Sequence, residues 1–304
     1  MLTCFDIGGS AIKGAKAAAP DQVKSTRRVP TPTHDFEAFL SVLREMIEEG
    51  EEQSRGVAIS TAGAIDPQTG IAKIANIPCA DGRRLQQDLE AALGLPVWIA
   101  RDSACFALAE AHFGAGKGHE TVFGIILGTG VGGCLVVNER AYVGTSGYAG
   151  EWGHGPVAAT QVSVTEKILP RFRCGCGQIG CIDAVCSARG MEKIHEALHG
   201  VLLPSTAIME AWQKGMDEAS LTIDVYLEIL SGPLAMVMNT TGPSIAPVGG
   251  GLSNAPELIE RLDEETRKRM LCPPDERLIV PGQCGIEPGL IGAAIVGFQN
   301  LDAD

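Results

Sequence analysis

Residues Phe5–Gly14 read FDIGGSAIKG, and the way this stretch folds decides the architecture of the whole chain. The run LTCFDI is apolar and ends on an acid and two glycines, which predicts a buried strand halted by a tight turn. AIKGAKAAA then returns beside it as a second strand. A turn built from Gly8, Gly9 and Ser10 next to Asp6 lets bare backbone amides approach a ligand, which is how a protein without a basic face holds an anion. This chain needs such a local device, because its formal charge is -13, with 37 acidic residues against 24 basic ones. The same balance argues against a nucleic-acid partner, since no basic face exists to displace counterions from phosphates.

Two more glycine turns come after apolar strands: Gly128-Thr129-Gly130-Val131-Gly132-Gly133 after VFGIILG, and Gly249-Gly250-Gly251-Leu252-Ser253 after SIAPV. One such turn means little, but three in one acidic chain point to phosphate binding. None reads GxxxxGK[ST]. GTGVGG is followed by a strand rather than a helix and lacks a downstream ribose-binding acid, so P-loop and dinucleotide-binding folds are disfavoured.

Outward from these turns, 304 residues suggest about two domains, and 38 glycines with few aromatics suggest α/β structure rich in tight turns. Apolar periodicity predicts an amphipathic helix over 35–49, a strand at GVAIS, a helix at LQQDLEAALG closed by Gly94, and a strand at VWIA. A helix over 102–113 comes next, for which Asp102 is a candidate N-cap. GAGKGHE is a candidate boundary, giving an N-terminal α/β lobe over 1–115 and a C-terminal α/β lobe over 116–289. The second lobe is read as the strands VFGIILG and GCLVV, a long loop, helices over roughly 183–240, the strand SIAPV and a helix over 256–270. A last helix at 290–304 is expected to pack back on the first lobe.

MLTCFDIGGS has no cationic start and carries Asp6 in its middle, so it is not read as a secretory signal. The most apolar run, Val122–Val137, is broken by glycines and shorter than the ~20 residues of a spanning helix. A cytoplasmic protein with no membrane partner is expected, its ten cysteines reduced rather than forming a disulfide framework. Within CGCGQIGC, the spacing of Cys174, Cys176 and Cys181 suits tetrahedral zinc better than a redox pair. The alternative, thiols that only pack, has few apolar neighbours to pack against.

In order and spacing, FDIGGSAIKG, ILGTGVGG, YAGEWGH, CGCGQIGC and PVGGGLS resemble the ROK family (repressors, open reading frames and kinases), from Phe5 to about Gly297. The resemblance implies an α/β, actin-like ATPase (ribonuclease H-like), bilobal sugar kinase fold in which two hairpins, one per lobe, hold the phosphates of ATP. It assigns Asp6 to Mg²⁺ through water, Lys13 to a phosphate contact, and Gly8, Gly9, Ser10, Gly128, Thr129, Gly130, Gly132, Gly249, Gly250 and Gly251 to the nucleotide loops. Asp102 matches the family's catalytic base, a role compatible with helix capping. Asn76, Glu151 and His154 match sugar ligands, with Trp152 expected to pack. His154 is also the family's fourth zinc ligand, making a closed Cys3His site that is structural rather than catalytic. A homodimer is implied as well.

Two positions depart from the family pattern in the expected sugar pocket. Arg101 stands where asparagine is usual and would weaken Asp102 as a base unless it pairs elsewhere. Asp183 stands where the family usually has glutamate as a sugar ligand, one methylene shorter, and with Arg101 and Asp102 it is expected among the substrate-binding residues. Among family members, CFALAEAHFG, ANIP followed by LQQDLE, and GGGLSNAP most resemble bacterial N-acetylglucosamine kinases, implying ATP-dependent 6-phosphorylation of that sugar. N-acetylmannosamine kinase and glucokinase are the alternatives of the same class. A sugar-responsive repressor is disfavoured because no winged helix precedes the first strand, and a non-catalytic sugar sensor rests on Arg101.

Overall fold

The computed structural model describes residues 1–50, 52–285 and 287–301. In chain order the elements are β1 (Leu2–Ile7), β2 (Ala11–Ala17), β3 (Val23–Pro30), α1 (Phe36–Glu48), β4 (Val57–Thr61), β5 (Ala64–Ile65), β6 (Ala72–Lys73), α2 (Leu85–Leu93), β7 (Val97–Arg101) and α3 (Asp102–Phe113). After these come β8 (Thr121–Leu127), β9 (Val131–Val137), β10 (Arg140–Tyr142), α4 (Ile182–Cys186), α5 (Ala188–His199), α6 (Ser205–Gln213), α7 (Asp217–Thr241), β11 (Ala246–Gly249), α8 (Pro256–Arg267), β12 (Ile279–Pro281) and α9 (Pro288–Leu301). They form two compact units: Met1–Gly118 with Glu139–Ala149 and Cys284–Asp304, and His119–Asn138 with Gly150–Gln283. Residues 302–304 of the expected last helix lie outside the described residues.

The first unit is built on a sheet of order β3-β2-β1-β4-β7. β1 and β2 are antiparallel, with Ile7 opposite Ile12, while β4 and β7 run parallel to β1. Alternation along β1 sends Phe5 and Ile7 to one face, packed with Phe39 and Leu43 of α1 and Leu89 of α2. Leu2 and Cys4 go to the other face, against Cys105 of α3 and Leu290 and Ala293 of α9. That second face is made of small residues because the helices lie close. A Cβ on Gly292 of α9 would stand 2.1 Å from the Cys105 carbonyl oxygen. α1 starts at Asp35, whose side chain accepts from the Ala38 amide at 3.1 Å, and α2 ends on left-handed Gly94.

The second unit repeats the scheme with a sheet of order β9-β8-β11-β12, an antiparallel hairpin joined to two parallel strands. The apolar run Val122–Val137 is thus the expected pair of buried strands. The expected helical stretch after residue 183 resolves into α4, α5, α6 and α7. α7 is long and apolar enough to cross a membrane by length and composition, yet 61% of its most apolar window is buried in the unit's core. Tyr226 at its centre is fully buried and donates its hydroxyl to the Cys186 carbonyl at 2.9 Å.

One strand was not expected and one helix boundary shifts. The polar segment VKSTRRVP forms the edge strand β3, which carries little apolar signal because its side chains are largely exposed. α8 ends at Arg267, three residues before Met270.

Candidate active site

The turn between β1 and β2 is closed by the Gly8 amide donating to the Ala11 carbonyl at 3.0 Å. Thr31 and Thr61 pin it from behind, their hydroxyls donating to the Gly8 and Ile7 carbonyls. Asp6 leaves β1 beside this turn, and its carboxylate accepts from the Ser60 hydroxyl at 3.0 Å. The Lys13 ammonium lies 3.6 Å from Asp6 and 2.5 Å from Glu287. Partial burial works to lower the Lys13 pKa, but the Glu287 hydrogen bond and the Asp6 charge outweigh it and hold it above the usual lysine value. Glu287 itself sits at φ 47, a left-handed conformation that costs a residue with a Cβ about 1–2 kcal/mol. The contacts around it must supply that energy, a pattern that concentrates at functional sites.

In the same unit, Asn76 packs directly on the first glycine turn, where a Cβ on Gly9 would lie 2.9 Å from the Asn76 Cβ. Asp102 is the first residue of α3, one position inside the expected cap. Arg101 occupies the N-cap in extended conformation (φ -68, ψ 149) and offers no acceptor, so no side chain caps the helix. The Asp102 carboxylate is exposed and accepts from the Ser103 amide at 2.7 Å. Arg101 is buried, 6% exposed, and its guanidinium donates to the Ala149 carbonyl. The departure from the family pattern at Arg101 therefore goes with a guanidinium engaged by backbone.

In the second unit, the GTGVGG and GGGLS turns lie against one another. Gly250 adopts φ 92, and a Cβ there would stand 2.4 Å from the Leu127 carbonyl oxygen, so only glycine allows the two loops this contact. The GTGVGG turn is gripped on three sides. Trp152 donates its indole N–H to the Gly132 carbonyl at 2.9 Å, the Ala188 amide donates to the Gly128 carbonyl at 2.8 Å, and the Val131 amide donates to the Asp183 carboxylate at 2.8 Å. Trp152 is a packing residue as expected, with a polar task that its position in the sequence did not reveal.

The thiols gather in that unit too. One ligand atom each from His154, Cys174, Cys176 and Cys181 lies within 4.8 Å of all the others. The Cys176 and Cys181 sulfurs are 3.7 Å apart, and Cys174 Sγ is 3.6 Å from His154 Nδ1. With Zn–S bonds of about 2.3 Å, the edge of a tetrahedral site is about 3.8 Å, so this donor set fits a zinc ion. Burial pushes the metal-free Cys174 thiol up to about 12, whereas the Gln178 amide, donating to Cys176, holds that exposed thiol down at about 7. With Nδ1 turned to the sulfurs, His154 Nε2 lies 3.8 Å from Glu151, so these two of the three family-derived sugar ligands are together, while Asn76 belongs to the first unit. Sequence reasoning missed Glu287, whose partner lies 274 positions away and leaves no spacing to read.

The profile of the ROK family matches residues 2–299. N-acetyl-D-glucosamine kinase of Pectobacterium atrosepticum is 33% identical over 303 residues, 99% of this chain and 100% of that protein. The protein of the same name from Salmonella typhimurium is 32% identical over the same shares. Among solved structures, the ROK hexokinase from Thermus thermophilus is 27% identical with a TM-score of 0.85, covering 100% of this chain and 99% of its own. A ROK family glucokinase from Streptomyces griseus, solved with glucose and AMPPNP, is 26% identical with a TM-score of 0.76 over 96% and 97%.

Proposed function

The chain belongs to the ROK family, and from that premise we propose that it is a cytoplasmic kinase that moves the terminal phosphoryl group of ATP to the 6-hydroxyl of N-acetyl-D-glucosamine. The observation that carries the choice of sugar is the end-to-end identity, 32–33%, with proteins named for that activity. N-acetylmannosamine and glucose are the competing acceptors.

Phosphoryl transfer asks for positioned phosphates, neutralised charge and a base at the attacking oxygen. Asp102, exposed at the first position of α3, takes the proton of the acceptor hydroxyl. Arg101, the residue before it, is buried and donates to the Ala149 carbonyl. Gly8, Gly9 and Ser10 in one unit and Gly128, Thr129, Gly130, Gly132, Gly249, Gly250 and Gly251 in the other offer backbone to the phosphates. Lys13 adds a cation, and Asp6 would hold Mg²⁺ through water, the ion supplying charge neutralisation on the phosphates. Asn76, Glu151 and His154 bond the sugar hydroxyls. His154, Cys174, Cys176 and Cys181 would hold a zinc that stabilises their loop and leaves no open coordination position. The ten cysteines are all free thiols in the structure. The partners are the sugar, ATP and, by family precedent, a second copy of the chain.

The test is ADP release with Mg-ATP across N-acetylglucosamine, N-acetylmannosamine, glucose and fructose, alongside metal analysis. Expected are fastest turnover of N-acetylglucosamine, zinc near one equivalent, and a loss of about 10²–10⁴ in kcat for Asp102→Asn, the range ascribed to general acid–base catalysis. Absence of turnover in folded, metal-loaded protein would favour the sugar-sensor reading.

A further inference from the structure

We propose that Asp183 is a positioning residue of the β8–β9 phosphate turn and not a ligand of the sugar, an inference that rests on the proposed role of that turn in holding nucleotide. Its backbone is set first. Asp183 lies in the short helix α4 just after Cys181, and its amide donates to the Gly153 carbonyl at 2.8 Å. From there the short side chain reaches the turn, where Oδ1 accepts the Val131 amide at 2.8 Å. Oδ1 is also what a Cβ on Gly130 would meet, at 2.9 Å. The other oxygen faces Cys174, whose thiol lies 3.5 Å away. Both oxygens thus face protein groups, and one of them holds the residue at which β9 leaves the turn.

The surroundings tighten the same seam. A Cβ on Gly153 would stand 2.1 Å from the Val131 carbonyl oxygen, and the Trp152 indole holds Gly132. Val131 is therefore fixed through its amide by Asp183 and pressed at its carbonyl by Gly153. Of the three groups that bond the turn, only Asp183 makes a charge-assisted hydrogen bond, the stronger kind. Its length matters here: aspartate is one methylene shorter than the usual glutamate, and the observed bond uses that shorter reach. Loss of this bond frees Gly130 and Val131 where the phosphates would sit, so the cost falls on the nucleotide and not on the sugar.

The experiment is calorimetric titration of the full chain with Mg-ADP, together with KM for ATP and for the sugar, on wild type and Asp183→Ala, Asp183→Asn and Asp183→Glu. Asp183→Ala is expected to weaken Mg-ADP about tenfold, as for one charge-assisted bond, with the KM for sugar within about twofold. Asp183→Asn retains an acceptor oxygen and should stay within about threefold of wild type. Asp183→Glu, the mildest change in bulk, should still weaken Mg-ADP at least about threefold, which keeps the test decisive if the alanine variant does not fold. Glutamate that keeps wild-type ADP affinity, or variants whose sugar KM rises while ADP affinity stays, would overturn the inference and restore a direct sugar contact. Wild-type protein that binds no Mg-ADP would instead overturn the nucleotide role of the turn beneath it.

Discussion

The two hairpin turns, β1–β2 in the first unit and β8–β9 in the second, share a topology and are held by different physics. Around the first, the fixing groups are side chains: the Thr31 and Thr61 hydroxyls, and the Asp6–Lys13–Glu287 charge series. Around the second, close backbone packing predominates. Gly153 and Gly250 bring main chain against main chain at distances that forbid a Cβ, and Trp152 and Asp183 bond the turn's own amide and carbonyl groups. A turn held by partly solvated charges responds to salt and pH, whereas a turn held by contact responds to volume.

Three perturbations would sharpen or break that contrast. The largest effect is expected from Gly153→Ala, which drives a methyl group into the Val131 backbone. Overpacking of this kind costs about 1–3 kcal/mol and should appear as a drop of several degrees in the unfolding midpoint that added salt does not change. An unchanged midpoint would mean that the second turn yields easily. Glu287→Gln should cost less, within the roughly 0.2–1 kcal/mol of partly exposed ion pairs, and the difference from wild type should vanish near about 1 M NaCl, as unfolding at two salt concentrations would reveal. A salt-independent loss would put the first turn in the same class as the second.

The smallest effects concern pH, and their signs differ. His195, buried in the second unit with Nδ1 2.8 Å from the Thr222 hydroxyl, is held below the usual histidine pKa by burial and then by the nearby His199 charge. Its unfolded form takes a proton more readily, so its contribution is complete above about pH 6.5 and is lost as the pH falls below that value. Lys13 is raised, so its contribution is complete below about pH 10.5 and fades as the pH climbs through the folded value. Midpoints measured for His195→Gln and Lys13→Met from about pH 5 to about pH 11 should therefore converge on wild type at opposite ends of the range.

Much of this was legible in local sequence, because the signals were local. Asp35 announced the start of α1 and Gly94 the end of α2, and both hairpins could be read from apolar runs broken by glycine. The thiol spacing brought together the four side chains that the family motif named. Other features were hidden for equally physical reasons. β3 is an exposed edge strand and bears no apolar pattern. At α3 the chain is still extended at Arg101, which moves the helix boundary one residue earlier than a capping aspartate would set it. Asp183 was visible as a carboxylate near the thiols, but its bond to Val131 spans 52 positions and arises only when β8 and β9 have folded.

α9 carries a consequence for biosynthesis. It shares with α3 the cover of one face of the β1-β4-β7 sheet and follows every other described element in the chain, so Leu2, Cys4 and Ala58 have only part of their cover until residues 288–301 are synthesised. At roughly 5–20 residues per second, the stretch from Gly118 to Leu301 takes about 10 to 40 s to emerge. The first half of the nascent chain waits through that interval with this sheet face only partly covered and accessible to chaperones, while the second unit, completed at Gln283, is ready to fold ahead of it.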